Sequence, residues 1–241
     1  MTDAASADQV GLRLRNIESD VSADVVRELG QLQTVFLSDA MRKFNAMDAR
    51  VRPIVPGIPL SGPAFTVRPA PGDNLAVYMA LDRARPGDVL VIESRGLTSV
   101  AQWGDLTSAI AKKAGIAGAV MDGAIRDRAG IVRAGLPVFA APDPIATGGT
   151  RLGPGELNVP VAVGGVAVCA GDIIVGDDDG VVVVPAAYAG QVLERARVLA
   201  GDDVVKMTAA ESGATSWGWL PEAQARAGYG ATGSGEDAES K

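Results

Sequence analysis

Short, continuously apolar runs recur along the chain, and segments with helical spacing of apolar residues separate them. Runs of this kind are typical of strands that are buried on both faces of a parallel sheet. Their alternation with helices predicts βαβ units and therefore an α/β fold. The predicted strands cover residues 64–67, 89–92, 116–121, 138–140, 173–176 and 181–185, and the predicted helices cover residues 76–83, 104–114, 127–134 and 186–207.

The two ends of the chain differ from this central pattern. Residues 1–30 place apolar residues at helical spacing among charged ones, which predicts a peripheral N-terminal helix. The alternation of strands and helices covers residues 31–200, which we interpret as one main domain. Within it, Ser38 is a candidate N-cap of a short helix. Residues 201–228 are interpreted as a C-terminal extension at a subunit interface. Residues 229–241 are rich in Gly, Ser, Ala and Glu and predict a disordered tail.

Composition narrows the possible partners. The formal net charge is -7, and no cluster of Lys and Arg is interleaved with aromatic residues, so we expect no binding to nucleic acid. The first residues lack the basic and apolar segments of a signal peptide, and no apolar run approaches the ~18 residues of a membrane span. These features predict a cytoplasmic protein with no membrane partner. The single cysteine, Cys169, follows an apolar run, and we expect it to be a small core residue.

The chain contains no histidine. This absence excludes Ser-His-Asp and Cys-His catalysis, histidine-ligated zinc and a histidine proton shuttle. Any chemistry must therefore use carboxylates, Arg, Lys, Tyr, the backbone or a metal ion.

Residues 101–109, AQWGDLTSA, place Gly104 and Asp105 where a helix is predicted to begin. Backbone N–H groups at such a start can hold a substrate carboxylate, aided by the helix dipole. Alternatively, Asp105 is only a stabilising residue of the first helical turn.

A second segment of this kind, residues 118–127, reads GAVMDGAIRD and places Arg126 and Asp127 at the next predicted helix start, after a buried strand. Open α/β sheets commonly bind ligands at this position. Arg126 could form a bidentate contact with a carboxylate, and Asp127 could bind a hard cation such as Mg²⁺ that keeps most of its waters. Alternatively, the two residues form a surface ion pair at a helix start.

Taken together and in order, these segments resemble the RraA-like family, which includes 4-hydroxy-4-methyl-2-oxoglutarate/4-carboxy-4-hydroxy-2-oxoadipate aldolases and protein regulators of ribonuclease E. The resemblance covers residues 34–200 and depends on the order of several short motifs. These motifs are SDA at residues 38–40, GPAFTV at 62–67, PGDN at 71–74, PGDVLV at 86–91, WGD at 103–105, DGAIRD at 122–127 and GVVVVP at 180–185.

The resemblance implies a β/β/α sandwich of the swivelling phosphohistidine-domain type, assembled as a homotrimer or homohexamer with active sites between subunits. It implies that Asp127 binds a divalent metal, Mg²⁺ or Mn²⁺, that Arg126 binds a 2-keto acid, and that amides around Gly104, Asp105 and Leu106 bind the carboxylate of this acid. Asp105 matches an acidic position close to the metal's waters. The candidates for an acid contributed by a neighbouring subunit's C-terminal region are Asp202, Asp203 and Glu211.

The chain departs from the aldolase pattern at one position. Where that pattern continues Arg-Asp with two residues and then an acid, this chain has Gly130, which supplies no carboxylate to the metal's water shell. The departure leaves the direct ligand, Asp127, in place.

The implied activity is that of a divalent-metal-dependent pyruvate aldolase, a lyase that cleaves a 4-hydroxy-2-oxo diacid such as 4-hydroxy-4-methyl-2-oxoglutarate. The metal and Arg126 would stabilise the enolate of pyruvate, and a metal-bound water oriented by Asp105 could move the proton of the 4-hydroxyl. Oxaloacetate decarboxylation passes through the same enolate and is expected as an accompanying activity. The alternatives are a Schiff-base aldolase using Lys112 or Lys113, both on a polar stretch, and a non-catalytic, protein-binding regulator.

Overall fold

The structure, a computed structural model, describes residues 9–141 and 144–229. These residues form a mixed α/β fold, as the sequence predicts. The strands are β1 (Arg52–Pro53), β2 (Leu60–Pro69), β3 (Val89–Ile92), β4 (Ala101–Trp103), β5 (Gly118–Met121), β6 (Ala124–Ile125), β7 (Val138–Ala140), β8 (Gly155–Leu157), β9 (Val161–Val163), β10 (Val166–Val168), β11 (Ile173–Asp177) and β12 (Gly180–Val184). The helices are α1 (Ala23–Leu29), α2 (Thr34–Ala40), α3 (Leu75–Arg83), α4 (Asp105–Lys113), α5 (Arg128–Ala134), α6 (Ala189–Glu211) and α7 (Leu220–Arg226).

One mixed sheet, with strand order β1-β7-β5-β3-β2-β11-β12, organises the fold, and β8 also pairs with β2. β2, β3, β5 and β7 run parallel, which matches the predicted βαβ units, whereas β11 pairs antiparallel with both β2 and β12. Every residue of β3 is buried, with Leu90 and Ile92 in one core cluster and Val89 and Val91 in another. Because both faces of this strand are covered, its sequence is apolar throughout instead of alternating.

Different elements cover the two faces of the sheet. On one face, the apolar side chains of α3, α4 and α5, including Val77, Ala111 and Ile131, pack with Leu90 and Ile92. On the other face, the hairpin formed by β9 and β10 contributes four buried valines. The resulting order of hairpin, sheet and helices is the β/β/α layering that the family resemblance implies.

The N-terminal segment departs from the prediction of a helix over residues 1–30. Helix α1 covers only Ala23–Leu29, and residues 1–8 lie outside the described part of the chain. Before α1 the backbone pairs with β8: the amide of Arg15 donates to the Leu157 carbonyl at 3.1 Å, and the Leu157 amide donates to the Arg13 carbonyl at 2.9 Å. The backbone groups of β8 therefore compete successfully with the local helical pattern.

Two single-residue predictions are wrong. Ser38 lies inside α2, which begins at Thr34; the amide and hydroxyl of Thr34 both donate to the carboxylate of Asp177, at 2.8 and 2.7 Å. The side chain that caps the start of α2 is therefore Asp177, at the end of β11 in the hairpin formed by β11 and β12. Cys169 is exposed, since it follows the end of β10 at a turn where its amide donates to Asp172 at 2.8 Å.

The chain divides into two compact units between Leu199 and Ala200. The first contains the sheet and its covering helices, and the second contains the later part of α6 and α7. The C-terminal extension predicted from residue 201 therefore begins one residue after this division. Of the tail predicted over residues 229–241, only Tyr229 is described. No helix in the described part of the chain combines the length and apolar composition that crossing a bilayer requires.

Candidate functional site

The two predicted helix starts lie side by side because β4 and β6, the short strands that precede them, pair in parallel. The amide of Arg126 donates to the carbonyl of Trp103 at 3.0 Å. The Trp103 side chain is buried, and its indole N–H donates to the Ser108 hydroxyl on α4 at 2.7 Å. This pairing brings Gly104 and Asp105, which are separate from Arg126 in sequence, to the same place as Arg126.

Asp105, Arg126 and Asp127 line one small cavity of about 70 Å³, which we call the α4 cleft. The predicted residues Gly104 and Leu106 line it too. The structure therefore brings together all the site residues that the sequence predicts within the first unit. Their chemical roles remain predictions.

Gly104 allows this close arrangement. A Cβ atom at this position would lie 3.0 Å from Asp127 Oδ2 and 3.5 Å from Arg126 Cγ. Its own amide already donates to the Thr107 hydroxyl at 2.8 Å, and the Leu106 amide donates to Asp105 Oδ1 at 2.6 Å. A substrate carboxylate that binds the Leu106 amide would therefore have to replace the side chain of Asp105 there.

Asp127 has an unusual backbone conformation, with φ 55° and ψ 38° just before α5. Such left-handed conformations are unfavourable for residues other than glycine, and they are concentrated at functional sites. The Asp127 carbonyl accepts hydrogen bonds from the amides of Gly130 and Ile131, at 2.8 and 3.1 Å, so α5 holds this residue in place. Five other non-glycine residues of the described chain share this conformation, so it fixes the position of Asp127 without assigning it a chemical role.

Arg126 and Asp127 also contact each other, with Arg126 Nε 3.3 Å from Asp127 Oδ2. Their side chains are 44% and 45% exposed, so the alternative of an ion pair is realised in the structure, but a ligand can reach both groups. On its other side, the guanidinium lies against Gly148, where a Cβ atom would be 2.5 Å from Nη1. Gly104 and Gly148 thus leave the space that the Arg126 side chain occupies.

Gly130 has a structural role that the sequence did not indicate. A Cβ atom at this position would lie 2.3 Å from Asp105 Cβ and 2.7 Å from Asp105 Oδ2. The side chain of Asp105 therefore occupies the space into which a larger residue at position 130 would project. Where the aldolase pattern has an acid on α5, this chain has Gly130. The carboxylate of Asp105, which belongs to α4, lies against α5 at that position instead.

Besides Thr107 on α4, four further polar residues line the α4 cleft: Asn74, Tyr78, Gln102 and Arg151. Sequence reasoning missed all four as site residues, although Asn74 belongs to the PGDN motif that contributed to the family resemblance. Arg151 lies in residues 144–154, which contain no helix or strand, so no periodic pattern marks it.

Asp73 connects that loop to the start of α3. Its carboxylate accepts hydrogen bonds from the Thr150 hydroxyl and the Leu152 amide, both at 2.6 Å, and from the Leu75 amide at 2.8 Å. Burial raises the pKa of Asp73, but hydrogen bonds from Thr150 and from backbone amides, including those of Leu75, Leu152 and Gly153, outweigh burial and hold the pKa below its usual value. An ionised Asp73 therefore fixes the loop that carries Arg151.

The oxygen atoms available for metal coordination in the α4 cleft suit a hard divalent cation. In residues 9–141 and 144–229, no three His, Cys, Asp or Glu side chains come together as a metal-binding cluster. The cleft offers the carboxylate oxygens of Asp105 and Asp127, without sulfur or imidazole ligands. This set fits Mg²⁺ or Mn²⁺, which can keep several waters and take further oxygen ligands from a substrate.

The other predicted participants lie elsewhere. Lys112 Nζ donates to the carbonyl of Ala134 at 2.5 Å, and neither Lys112 nor Lys113 lines the α4 cleft, which disfavours a Schiff-base mechanism. The C-terminal acids Asp202, Asp203 and Glu211 all lie on the part of α6 that belongs to the second unit.

Three larger cavities, of about 470, 430 and 500 Å³, lie away from the α4 cleft. In the first, Glu18 and Arg85 form an ion pair. In the second, Arg50 pairs with Asp48, and the Asp122 carboxylate accepts the Ser94 amide at 2.8 Å. Their size alone does not make them better candidates, because none of the three is lined by Asp105, Arg126 or Asp127.

Comparisons with known proteins agree with the fold. Residues 34–183 match the model of the RraA-like family, described as Aldolase/RraA. A protein of Halalkalibacterium halodurans, named as a candidate 4-hydroxy-4-methyl-2-oxoglutarate aldolase, is 39% identical over 185 residues, which are 77% of this chain and 88% of that protein.

Two solved structures show the same fold. An uncharacterized protein from Pseudomonas syringae pv. tomato matches with a TM-score of 0.75 and 29% identity, covering 90% of this chain and all of that one. RraAS2 from Streptomyces coelicolor, described as an unusual member of the RNase ES inhibitor RraA protein family, matches with a TM-score of 0.70 and 27% identity, covering 78% of this chain and 98% of that one.

Proposed function

This chain belongs to the RraA-like family, and we propose that it is a divalent-metal-dependent lyase that forms pyruvate from a 4-hydroxy-2-oxo diacid such as 4-hydroxy-4-methyl-2-oxoglutarate. One observation carries the proposal: Asp105, Arg126 and Asp127 meet in a single cleft that a ligand can reach. The similarity to the H. halodurans protein supports aldolase chemistry. Decarboxylation of oxaloacetate is the expected accompanying activity.

In this proposal Asp127 would hold Mg²⁺ or Mn²⁺, and Asp105 would supply a second carboxylate in the same cleft. The bound cation supplies positive charge to the keto and carboxylate oxygens of the substrate. Arg126 adds a planar, permanently charged group, which stabilises the negative charge that develops on the keto oxygen as the carbon–carbon bond breaks. Since the chain's net charge of -7 repels anionic substrates, these local positive charges are needed for binding as well.

Asp105 is the group proposed to move the proton. Aldol cleavage removes the proton of the 4-hydroxyl, breaks the bond between C3 and C4, and returns a proton to C3, so that the methylated diacid yields two molecules of pyruvate. A partly exposed carboxylate can act as the general base for such a transfer, directly or through one water. Gly130 leaves room for it beside α5.

The direct test follows pyruvate release from 4-hydroxy-4-methyl-2-oxoglutarate and from oxaloacetate by the purified protein with Mg²⁺ or Mn²⁺, with and without a chelator. We expect turnover that requires the cation and is lost on chelation. Turnover that the chelator leaves unchanged would contradict metal dependence.

A second function, that of a non-catalytic regulator that binds another protein, is favoured by the likeness to RraAS2, whose family is described as RNase ES inhibitors. The same assay separates the two. A binding module gives no pyruvate with either substrate under any metal condition.

Arg126→Lys tests whether Arg126 acts on the substrate or only in the ion pair with Asp127. Lysine keeps the charge but cannot present two N–H groups in one plane, so we expect kcat and kcat/KM to fall by at least about tenfold. Arg133→Lys, on the exposed face of α5, is the matched control and should be fully active. Unchanged kcat and KM in Arg126→Lys would leave only the structural ion pair.

A further inference from the structure

The α4 cleft contains a second cationic group, Arg151, in addition to Arg126. The Arg151 guanidinium carbon lies 5.5 Å from the centroid of the Tyr78 ring, which is within the range of a cation–π contact. Within residues 9–141 and 144–229, no carboxylate forms an ion pair with Arg151. A stacked arginine with its N–H groups still available is well suited to bind a carboxylate in a planar, bidentate way.

Two buried acceptors in the same cleft also lack partners. Asn74 and Gln102 are only 7% and 2% exposed, yet Asn74 Oδ1 and Gln102 Oε1 accept no hydrogen bond from any described residue. The amide group of Asn74 is oriented by its other end, because Nδ2 donates to the Ala101 carbonyl at 3.3 Å. Buried acceptors without donors are unfavourable, so the polar groups around the cleft are not fully satisfied by the described residues.

Arg151 is held in place before any ligand binds. Thr150 and Leu152, its neighbours in the chain, both donate to the buried carboxylate of Asp73 at 2.6 Å. The amide of Asn74 also donates to the Thr150 carbonyl at 2.8 Å. The backbone on both sides of Arg151 is therefore fixed to the start of α3, which reduces the entropy lost when Arg151 binds an anion.

We propose that Arg151, supported by Tyr78, binds the distal carboxylate of a dicarboxylic 2-oxo acid whose 2-oxo end lies at Arg126 and Asp127. This inference rests on the proposed function, in which the substrate is already a diacid, and adds the residue that determines this specificity: Arg151 makes the cleft select dicarboxylates over monocarboxylic 2-oxo acids. A 4-hydroxy-2-oxo diacid satisfies both parts of the cleft, since its 2-oxo end lies at Arg126 and Asp127 and its distal carboxylate pairs with Arg151.

Two ligands of equal chain length provide a matched test. 2-Oxoglutarate and 2-oxovalerate share the 2-oxo acid end and differ only in a distal carboxylate or methyl group, and neither has the 4-hydroxyl that cleavage requires. Their affinities are measured by calorimetry with Mg²⁺ for the wild type, Arg151→Leu, Arg151→Lys and the control Arg133→Leu, which removes an equal charge from an exposed position on α5 outside the cleft.

We expect the wild type and Arg133→Leu to prefer 2-oxoglutarate by at least about tenfold, as a charge-assisted bidentate contact allows. Arg151→Leu should weaken 2-oxoglutarate alone and remove the preference, and Arg151→Lys should keep part of it. The unchanged affinity for 2-oxovalerate shows that the variant cleft is intact.

Equal affinities in the wild type, no binding of either ligand, or an equal loss of both in Arg151→Leu would overturn the inference. Its failure is distinguishable from failure of the lyase function. Selective binding without any pyruvate release would leave the carboxylate site standing and remove the proposed activity. Pyruvate release without selectivity would do the reverse.

Discussion

At the scale of single residues, backbone conformation and the absence of side chains at glycines shape the α4 cleft as much as charge does. Asp127 has a left-handed backbone, and Gly104, Gly130 and Gly148 each lie where a Cβ atom would meet a residue of the site at 3.0 Å or less. These features restrict the substitutions that can test a chemical role without disturbing the fold.

Asp127→Asn is the cleanest test of the metal ligand. Asparagine tolerates the left-handed conformation better than most residues, so the fold should persist while the charge is lost. We expect metal-dependent turnover to fall by more than about a hundredfold, with Mn²⁺ binding, followed by electron paramagnetic resonance, weakened in parallel. The matched control is Asp82→Asn, an exposed carboxylate on α3 outside the cleft. Full activity in Asp127→Asn would remove the metal assignment.

Gly130→Ala tests whether Gly130 positions Asp105. The added methyl group would lie 2.3 Å from Asp105 Cβ, so Asp105 must move. Because both glycines are helical, Gly190→Ala on α6 is the matched control: a Cβ atom there meets nothing within 4 Å, and alanine should stabilise the helix by up to about 1 kcal/mol. We expect Gly130→Ala to lower kcat by about tenfold or more with a smaller change in metal affinity, measured by steady-state kinetics and Mn²⁺ titration. Equal behaviour of the two variants would contradict the positioning role.

How much of the site the sequence predicts depends on whether a residue belongs to a local pattern. Gly104, Asp105, Arg126 and Asp127 follow recognisable strand-to-helix transitions, and the structure brings them together. Arg151 has no such context, because its place depends on hydrogen bonds from its loop to Asp73, which lies far away in the chain. The role of Gly130 depends on a neighbour on another helix in the same way.

The same contrast holds for elements. The apolar runs predict the parallel strands and the helices between them to within a few residues, because burial on both faces leaves a local signature. The N-terminal segment carries a helical pattern before α1, but its backbone pairs with β8. β3 and β11 also look alike in the sequence, because both are short apolar runs. In the structure, however, β3 is parallel to β2, whereas β11 is antiparallel to it. Pairing partners far along the chain decide these cases.

Glu156 holds the N-terminal segment against β8. This carboxylate is 2% exposed and accepts hydrogen bonds from Arg13 Nε at 2.5 Å, from the Gly11 amide at 2.9 Å and from Arg68 Nη1 at 3.2 Å. The hydrogen bond from Arg13 is the main reason that the pKa of Glu156 falls to about 2, although burial alone would raise it.

Acid should therefore weaken the fold through Glu156. Because the pKa is lower in the folded chain than its usual 4.5, the stabilisation is complete above about pH 4.5 and is lost as the pH falls towards 2. The wild type should be more stable than Glu156→Gln by roughly 3 kcal/mol at pH 7, and this difference should shrink by pH 3. Urea unfolding at the two pH values measures it, with exposed Glu194→Gln on α6 as the control. A pH-independent difference would contradict the linkage.

At the scale of the whole molecule, the layering explains why the cleft lies where it does. The parallel strands β3, β5 and β7, covered by helices on one face of the sheet and by the β9–β10 hairpin on the other, are buried throughout. The chain can bind a ligand where strands and helix starts leave backbone groups and charged side chains accessible, and β4 and β6 bring two such starts together. Function in this fold is therefore expected at an edge, not in the core.

That edge is incompletely covered by one copy of the chain. Leu106, which lines the α4 cleft, is 68% exposed, and Leu152, beside Arg151, is 85% exposed. Exposed apolar side chains grouped at a functional cleft are typical of surfaces that another protein surface covers. Together with the family resemblance, they predict a homotrimer or homohexamer in which a neighbouring copy completes the cleft.

Light scattering tests the assembly, because three copies of the 24.5 kDa chain give about 74 kDa and six give about 147 kDa. If a neighbouring copy completes the α4 cleft, specific activity should fall on dilution over the same concentration range in which the mass falls, since dissociation uncovers Leu106 and Leu152. Leu152→Glu should shift both transitions to higher protein concentration, because a buried charge without a partner disfavours the interface. Exposed Val198→Glu on α6 is the comparison variant. A monomer at micromolar concentration with full activity would contradict both the assembly and the shared cleft.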